Sequence, residues 1–234
     1  MTRAHDRIIV ALDVPNVAEA EALVEALGDH VGVYKIGLEL LFAGGFDLAR
    51  KLAGKGRKVF IDAKLLDIET TVERATAVIA QSGARFLTLH ALDRKTLEAA
   101  VRGRGDADLK LLGVTVLTNL TQADLVQQGV DHKLAEVVRH RAMTAKEAGL
   151  DGIVASGQEA ASVREAVGRD FLIVTPGIRP AGSAAQDQAR AMTPAAAIAA
   201  GADYLVVGRP ITRAPDPAAA ADAIAAEIEA ALSC

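Results

Sequence analysis

The stretch Lys58-Val-Phe-Ile-Asp62-Ala-Lys64-Leu-Leu66 is a short, mostly apolar run interrupted by two charges, and it is flanked by Ala/Glu/Lys/Arg segments with helical spacing. Such a run reads as a strand buried on both faces, the pattern of a parallel sheet covered by helices. Working outward, seven more runs of this kind occur: Arg7–Val14, Val31–Gly37, Phe86–Ala91, Lys110–Leu117, Gly152–Ser156, Phe171–Ile178 and Tyr204–Ile211. Eight runs in 234 residues leave about 29 residues apiece, the length of one strand-helix unit. The sequence therefore predicts an α/β chain, a single (β/α)8 TIM barrel over residues 1–234, with a doubly wound open sheet as the alternative.

Helix boundaries support that division. Asn16 followed by Glu19 has the form of a capping box, with Val17, Ala20, Leu23, Val24 and Leu27 on one stripe and Gly28 as the stop. Thr193-Pro194 and Asp216-Pro217 each place a capping side chain before a first-turn proline. The Ala-rich segment 218–232 carries an Ile224/Ile228/Leu232 stripe and is expected to pack as a helix. The long aperiodic stretch is Gly177 to Arg190, and loops of that length in a compact domain are usually functional.

Composition narrows the function classes. Apolar residues make up 51% and charged residues 24%, too hydrophobic for a disordered chain. With 26 Lys+Arg against 30 Asp+Glu the net charge is −4, so no global basic field exists to hold nucleic acid or an anionic membrane, and neither is expected as a partner. The basic run from Arg50 to Lys58 lacks aromatic partners and reads as a solvated helix end. Cys234 stands alone, which leaves no disulfide or Cys-Cys metal site and fits a reducing compartment. The five apolar residues Ile8 to Leu12 are too short for a signal-peptide core, so a cytoplasmic protein is expected. His5, His30, His90, His132 and His140 form no His-Glu-x-x-His pair and no metal-ligand spacing with carboxylates, so they read as structural or surface residues and no metal site is expected. Ser156 lacks the glycine two positions before it that a nucleophile elbow requires.

In a barrel the chemistry sits at the C-terminal ends of the strands. There the sequence offers Asp13 after the first run, Lys35 in the second, and Asp62, Lys64 and Asp67 in and after the third. Asp62 and Lys64 are two apart and fall on one face of a strand. Buried charges persist only when paired, so the two kinds of charge are expected to neutralise one another. An internal salt bridge that merely closes the barrel top is the structural alternative. Thr175-Pro-Gly-Ile-Arg179-Pro, with Gln188 beyond it, and Val-Gly208-Arg209-Pro together look like a phosphate grip, since barrels often bind phosphate with the loops after strands seven and eight.

Asp62-x-Lys64-x-x-Asp67, Lys35-Ile-Gly, Leu-Thr118, Thr-Pro-Gly-Ile-Arg179-Pro and Val-Gly208-Arg209-Pro-Ile resemble, in order and spacing, the bacterial orotidine 5′-phosphate decarboxylase family, from about Ile8 to Pro217. Asp-x-Lys-x-x-Asp is shared by a wider suprafamily of phosphosugar decarboxylases and aldolases, and Thr-Pro-Gly-Ile-Arg-Pro-x-Gly is more selective. The resemblance implies cofactor-free decarboxylation of orotidine 5′-phosphate to uridine 5′-phosphate (UMP) in pyrimidine biosynthesis. By the same resemblance, Lys64 delivers a proton to C6 of the pyrimidine and Asp62 is set against the substrate carboxylate. Lys35 and Asp67 complete a Lys-Asp-Lys-Asp array. Asp67 and Thr71 reach into a neighbouring subunit's site, which implies a homodimer with shared active sites. Asp13 holds ribose hydroxyls, Thr118 touches the pyrimidine, and Arg179, Gln188, Gly208 and Arg209 bind or close over the phosphate.

Two stretches depart from the family's pattern. Lys64-Leu-Leu-Asp67-Ile-Glu-Thr-Thr71 lacks the Phe-His before and Pro-Asn after the second Asp that many relatives carry, and His90-Ala91 leads into Leu-Asp-Arg in place of a small Ser-Gly-Gly sequence. His90 reads as a packed rim histidine. Two other functions stay open: a metal-assisted phosphosugar decarboxylase or aldolase, whose glutamate ligand would sit near the end of the second strand where this chain has Lys35 and, further on, Glu39, and a barrel that binds a phosphorylated nucleotide without turnover.

Overall fold

The computed structural model describes residues 3–180 and 192–233 of the chain. Eight strands, β1 (Ile8–Ala11), β2 (Val33–Ile36), β3 (Lys58–Leu65), β4 (Phe86–His90), β5 (Lys110–Val114), β6 (Gly152–Val154), β7 (Leu172–Thr175) and β8 (Tyr204–Val207), pair in sequence order. Every pairing is parallel, and β1 meets β8 through Ile8↔Leu205 and Val10↔Val207 to close the barrel. Helices alternate with the strands, so the (β/α)8 barrel is the observed architecture and the open-sheet alternative falls away.

Period-two alternation sorts each strand into two cores. Ile9, Val33, Phe60, Phe86, Leu112 and Val174 point inward and fill the barrel interior. Phe86 meets Phe60 and Tyr204 edge-on, with ring centroids at 5.9 and 5.3 Å, a geometry that aligns ring edges with ring faces. Val10, Tyr34, Val59, Ile61 and Leu87 point outward under the helices. Tyr34 is buried there, and its hydroxyl donates to the Gly28 carbonyl at 2.7 Å, tying β2 to the end of the helix Val17–Leu27. Phe60 thus points into the interior, and the chain beyond it runs on toward the mouth of the barrel.

Caps form at the expected places, with one difference. The Asn16 side chain accepts from the Glu19 backbone N–H at 2.9 Å, but the Glu19 carboxylate accepts from the Asn16 side-chain amide and not from its backbone. Gly28 ends that helix at φ 46°, a left-handed conformation that glycine adopts freely. Thr193 and Asp216 cap the helices Pro194–Ala199 and Pro217–Leu232 through the backbone N–H groups of Ala196 and Ala219. Ile224 and Ile228 are buried, whereas Leu232, the last residue of the helix, is exposed, so the stripe packs through its first two members only.

Most strands stop before the apolar runs do. Val116, Ile178 and Ile211 lie past the ends of β5, β7 and β8 yet are buried, so their hydrophobicity serves packing around the mouth and not the ladder. After β7 the chain continues as Gly177–Pro180, and Ile178 bridges to Met192, with the Arg179 N–H donating to the Met192 carbonyl at 2.9 Å. The remainder of the expected loop, Gln188 included, lies outside the described residues. Among the described residues no helix is long and apolar enough to cross a membrane.

Candidate active site

A cleft of about 530 Å³ opens at the C-terminal mouth of the barrel. Phe60, Val114, Val154 and Val206, the uppermost inward side chains, form its floor. Above them the charges gather. Lys35, at the inward position after Val33, is buried; its Nζ donates to Asp13 Oδ1 at 3.0 Å and lies 3.4 Å from Asp62 Oδ2. Lys64 Nζ donates to the other carboxylate oxygen, Asp62 Oδ1, at 2.8 Å. One carboxylate is therefore held between two ammonium groups, with a second carboxylate at the outer end of the row.

The register explains how Lys64 reaches this position. β3 and β4 pair as Phe60↔Phe86 and Ile61↔Leu87, then resume as Leu65↔Leu89, so β3 spends two more residues than β4 over the same interval. Inside that bulge Lys64 has φ 49°, making it the non-glycine residue with positive φ among those described. Such a conformation costs about 1–3 kcal/mol and persists only where its surroundings enforce it. Thr88 supplies the enforcement: its buried hydroxyl accepts the Lys64 backbone N–H at 3.0 Å and donates to Asp62 Oδ1 at 2.9 Å. The expectation from alternation, that Asp62 and Lys64 share a face, is met through this bulge and not through a regular strand. Thr88 is a residue the sequence reading missed, because a threonine inside Phe86-Leu-Thr-Leu-His90 looks like ordinary strand filling.

The electrostatics follow from this packing. Burial by itself would raise the Asp62 carboxyl, but the charges of Lys35 and Lys64 and the hydrogen bonds from Lys64 and Thr88 outweigh it and hold its pKa below the usual carboxylate value. Asp62 is thus an anion at neutral pH inside a low-dielectric pocket. His90, half-buried at the end of β4, also has its pKa lowered, by burial first and then by the Lys64 charge, so the imidazole is neutral at pH 7. Gly37 matters sterically: a Cβ there would come within 3.2 Å of both Asp13 Oδ1 and Lys35 Nζ.

Thr118, Gly177, Arg179, Gly208 and Arg209 line the same cleft, with Gly208 beside Asp13: a Cβ there would lie 4.0 Å from Asp13 Oδ2. The Arg179 guanidinium donates to the Ile178 carbonyl at 2.8 Å. Two arginines and two glycines thus share the cleft with the ion-paired row. Asp67 and Thr71 do not join it within this chain: both are exposed, and the Asp67 carboxylate accepts from the Ile68 N–H at 2.6 Å. Within one chain the row is Lys35–Asp62–Lys64, with Asp13 paired to the far side of Lys35, and Asp67 is not part of it. Glu39 is exposed and lies away from the cleft lining, so the glutamate ligand that a metal-assisted aldolase would need there is not supplied by that residue.

Comparison with known proteins agrees with this geometry. Residues 6–224 match the family model described as "Orotidine 5'-phosphate decarboxylase / HUMPS family". Orotidine 5′-phosphate decarboxylase of Rhodopseudomonas palustris strain BisA53 is 57% identical over 225 residues, 96% of this chain and 95% of the relative. The enzyme of that name from Afipia carboxidovorans is 55% identical over 227 residues, covering 97% and 96%. The crystal structure of orotidine 5′-phosphate decarboxylase from Lactobacillus acidophilus superposes with a TM-score of 0.84 at 38% identity, covering 94% of this chain and 98% of that one.

Proposed function

The chain belongs to the orotidine 5′-phosphate decarboxylase / HUMPS family, and on that premise we propose that Lys64 is its proton donor and Asp62 its electrostatic lever. The protein is a carboxy-lyase that converts orotidine 5′-phosphate to UMP and CO2 in pyrimidine biosynthesis. The observation that carries the assignment of roles is the position of the Asp62 carboxylate, held between Lys35 and Lys64 above the floor of the cleft.

The chemistry can be built from these groups. The C6–carboxylate bond of the pyrimidine breaks, CO2 departs, and the electron pair stays on an sp2 carbon with little resonance relief. A fixed ammonium stabilises that developing charge without solvent reorganisation. Lys64 then transfers a proton to C6 and is reprotonated from solvent. Asp62 repels the substrate carboxylate and ceases to oppose the site once the charge leaves as neutral CO2. Lys35 balances Asp62 and orients Asp13, which takes the ribose hydroxyls, while Thr118 contacts the pyrimidine. Arg179, Gln188, Gly208 and Arg209 take the phosphate, and binding energy from that remote group is available for positioning the reacting carboxylate.

The working unit in this reading is a cytoplasmic homodimer of one-domain barrels in which Asp67 and Thr71 serve the neighbouring site. Support comes from the flanks of Asp67: Leu66 and Ile68 are 49% and 73% exposed, apolar surface that a partner subunit would cover. No residue role in this scheme calls for a metal or organic cofactor. The test is the disappearance of orotidine 5′-phosphate absorbance with purified protein in the presence of EDTA. Undiminished turnover supports the scheme; loss under EDTA restored by Mg2+ would move the reading to the metal-assisted branch of the suprafamily.

A further inference from the structure

At the other end of the barrel the fold assembles a group that sequence spacing concealed. His5 lies in the turn Ala4–Arg7 that leads into β1, His30 in the connection that leads into β2, and Asp222 on the helix Pro217–Leu232. Spacing along the sequence shows no metal-ligand pattern among the histidines, but the fold brings two of them to one carboxylate. His5 Nε2 and His30 Nδ1 lie 2.8 and 2.7 Å from the same oxygen, Asp222 Oδ1, and one donor atom from each of the three residues falls within 4.8 Å of the others. The two rings are inclined at 70° with centroids 6.3 Å apart, so they converge on the carboxylate from different directions and do not stack.

We propose that His5, His30 and Asp222 form a binding site for a divalent transition metal of the zinc class, which ties the start of the chain to its last helix. Two imidazoles and a carboxylate are a borderline donor set that favours Zn2+, Ni2+ or Cu2+ over Mg2+ or Ca2+. Bond lengths of about 2.0–2.2 Å place tetrahedral ligands about 3.4 Å apart. All three side chains are partly exposed, at 32%, 45% and 49%, so each can rotate to close the remaining gap, and solvent can supply a fourth ligand. Both ring nitrogens already face one anionic oxygen. A metal takes the place of the two hydrogen bonds to Asp222: each imidazole carries its N–H on the other ring nitrogen and turns a lone pair toward the cation.

The proposal stands independently of the reaction at the mouth of the barrel. Tag-free, chelator-stripped protein titrated with ZnCl2 in a calorimeter at pH 7.5 is expected to bind one equivalent, and its Tm is expected to rise with Zn2+. His30→Gln can keep a hydrogen bond to Asp222 while losing the imidazole, and Asp222→Asn removes the anion; each is expected to weaken binding by roughly tenfold or more and to abolish the Zn2+-dependent rise in Tm. Absence of saturable binding, or equal affinity in wild type and both variants, would overturn the assignment and leave the three residues as a hydrogen-bonded clasp.

Discussion

The backbone N–H of Lys64 is held by the hydroxyl of Thr88 at 3.0 Å, and that contact spans the bulge where β3 gains two residues on β4. The same hydroxyl orients Asp62, so a single buried side chain fixes both members of the central ion pair. Thr88→Val keeps the shape and removes both bonds. Turnover is expected to fall by about 10- to 100-fold with a much smaller change in KM, because displacement of the reacting ammonium by an ångström is enough. Stability should fall by roughly 1–3 kcal/mol as the Lys64 N–H loses its acceptor. Thr88→Ser is expected to restore most of the activity, and equal kcat in the valine variant and wild type would remove Thr88 from the account.

His90 gives a pH signature. Its folded-state pKa lies below the ordinary 6.5, so between the two values the unfolded chain binds more protons than the folded one. Its contribution to stability is thus complete above pH 6.5 and is lost as the pH falls through the folded pKa. Urea unfolding of wild type and His90→Gln across pH 7.5 to 5 should show wild type losing stability relative to the variant on acidification. A flat or opposite difference would mean that His90 is not held neutral beside Lys64.

Arg209 separates phosphate binding from chemistry. Arg209→Ala is expected to raise KM for orotidine 5′-phosphate strongly and to lower kcat/KM far less for orotidine, which offers no phosphate. An equal fractional loss on both substrates would show that Arg209 supports the fold or the reaction centre instead.

Asp67 tests the shared site. Neither Asp67 nor Thr71 reaches the cleft of its own chain, whereas two-fold symmetry would let each subunit lend the same segment to the other. Mixing inactive Lys64→Ala and Asp67→Ala homodimers and allowing exchange should recover activity, since one of the two heterodimer sites carries neither lesion. Verified exchange without recovery would count against the arrangement.

The eight strands were legible because strands buried on both faces read as apolar runs; most of their C-terminal ends were not, because residues such as Val116, Ile178 and Ile211 are apolar for packing around the mouth. Asp62, Lys64, Lys35 and Asp13 could be placed at strand ends from spacing alone. The bulge could not: Asp62-Ala-Lys64 contains no glycine or proline to mark it, and the irregularity is stabilised from another strand by Thr88. The His5–His30–Asp222 group was hidden for a related reason, since 217 and 192 residues separate the histidines from the aspartate and only barrel closure brings them together.

The central claim is that Lys64 donates the proton to C6 from an ammonium fixed by Asp62. Its most direct test is Lys64→Ala assayed with orotidine 5′-phosphate alongside the dissociation constant for UMP. Turnover is expected to be abolished while much of the UMP affinity survives, because the phosphate and ribose contacts remain. Turnover near the wild-type rate in that variant would contradict it.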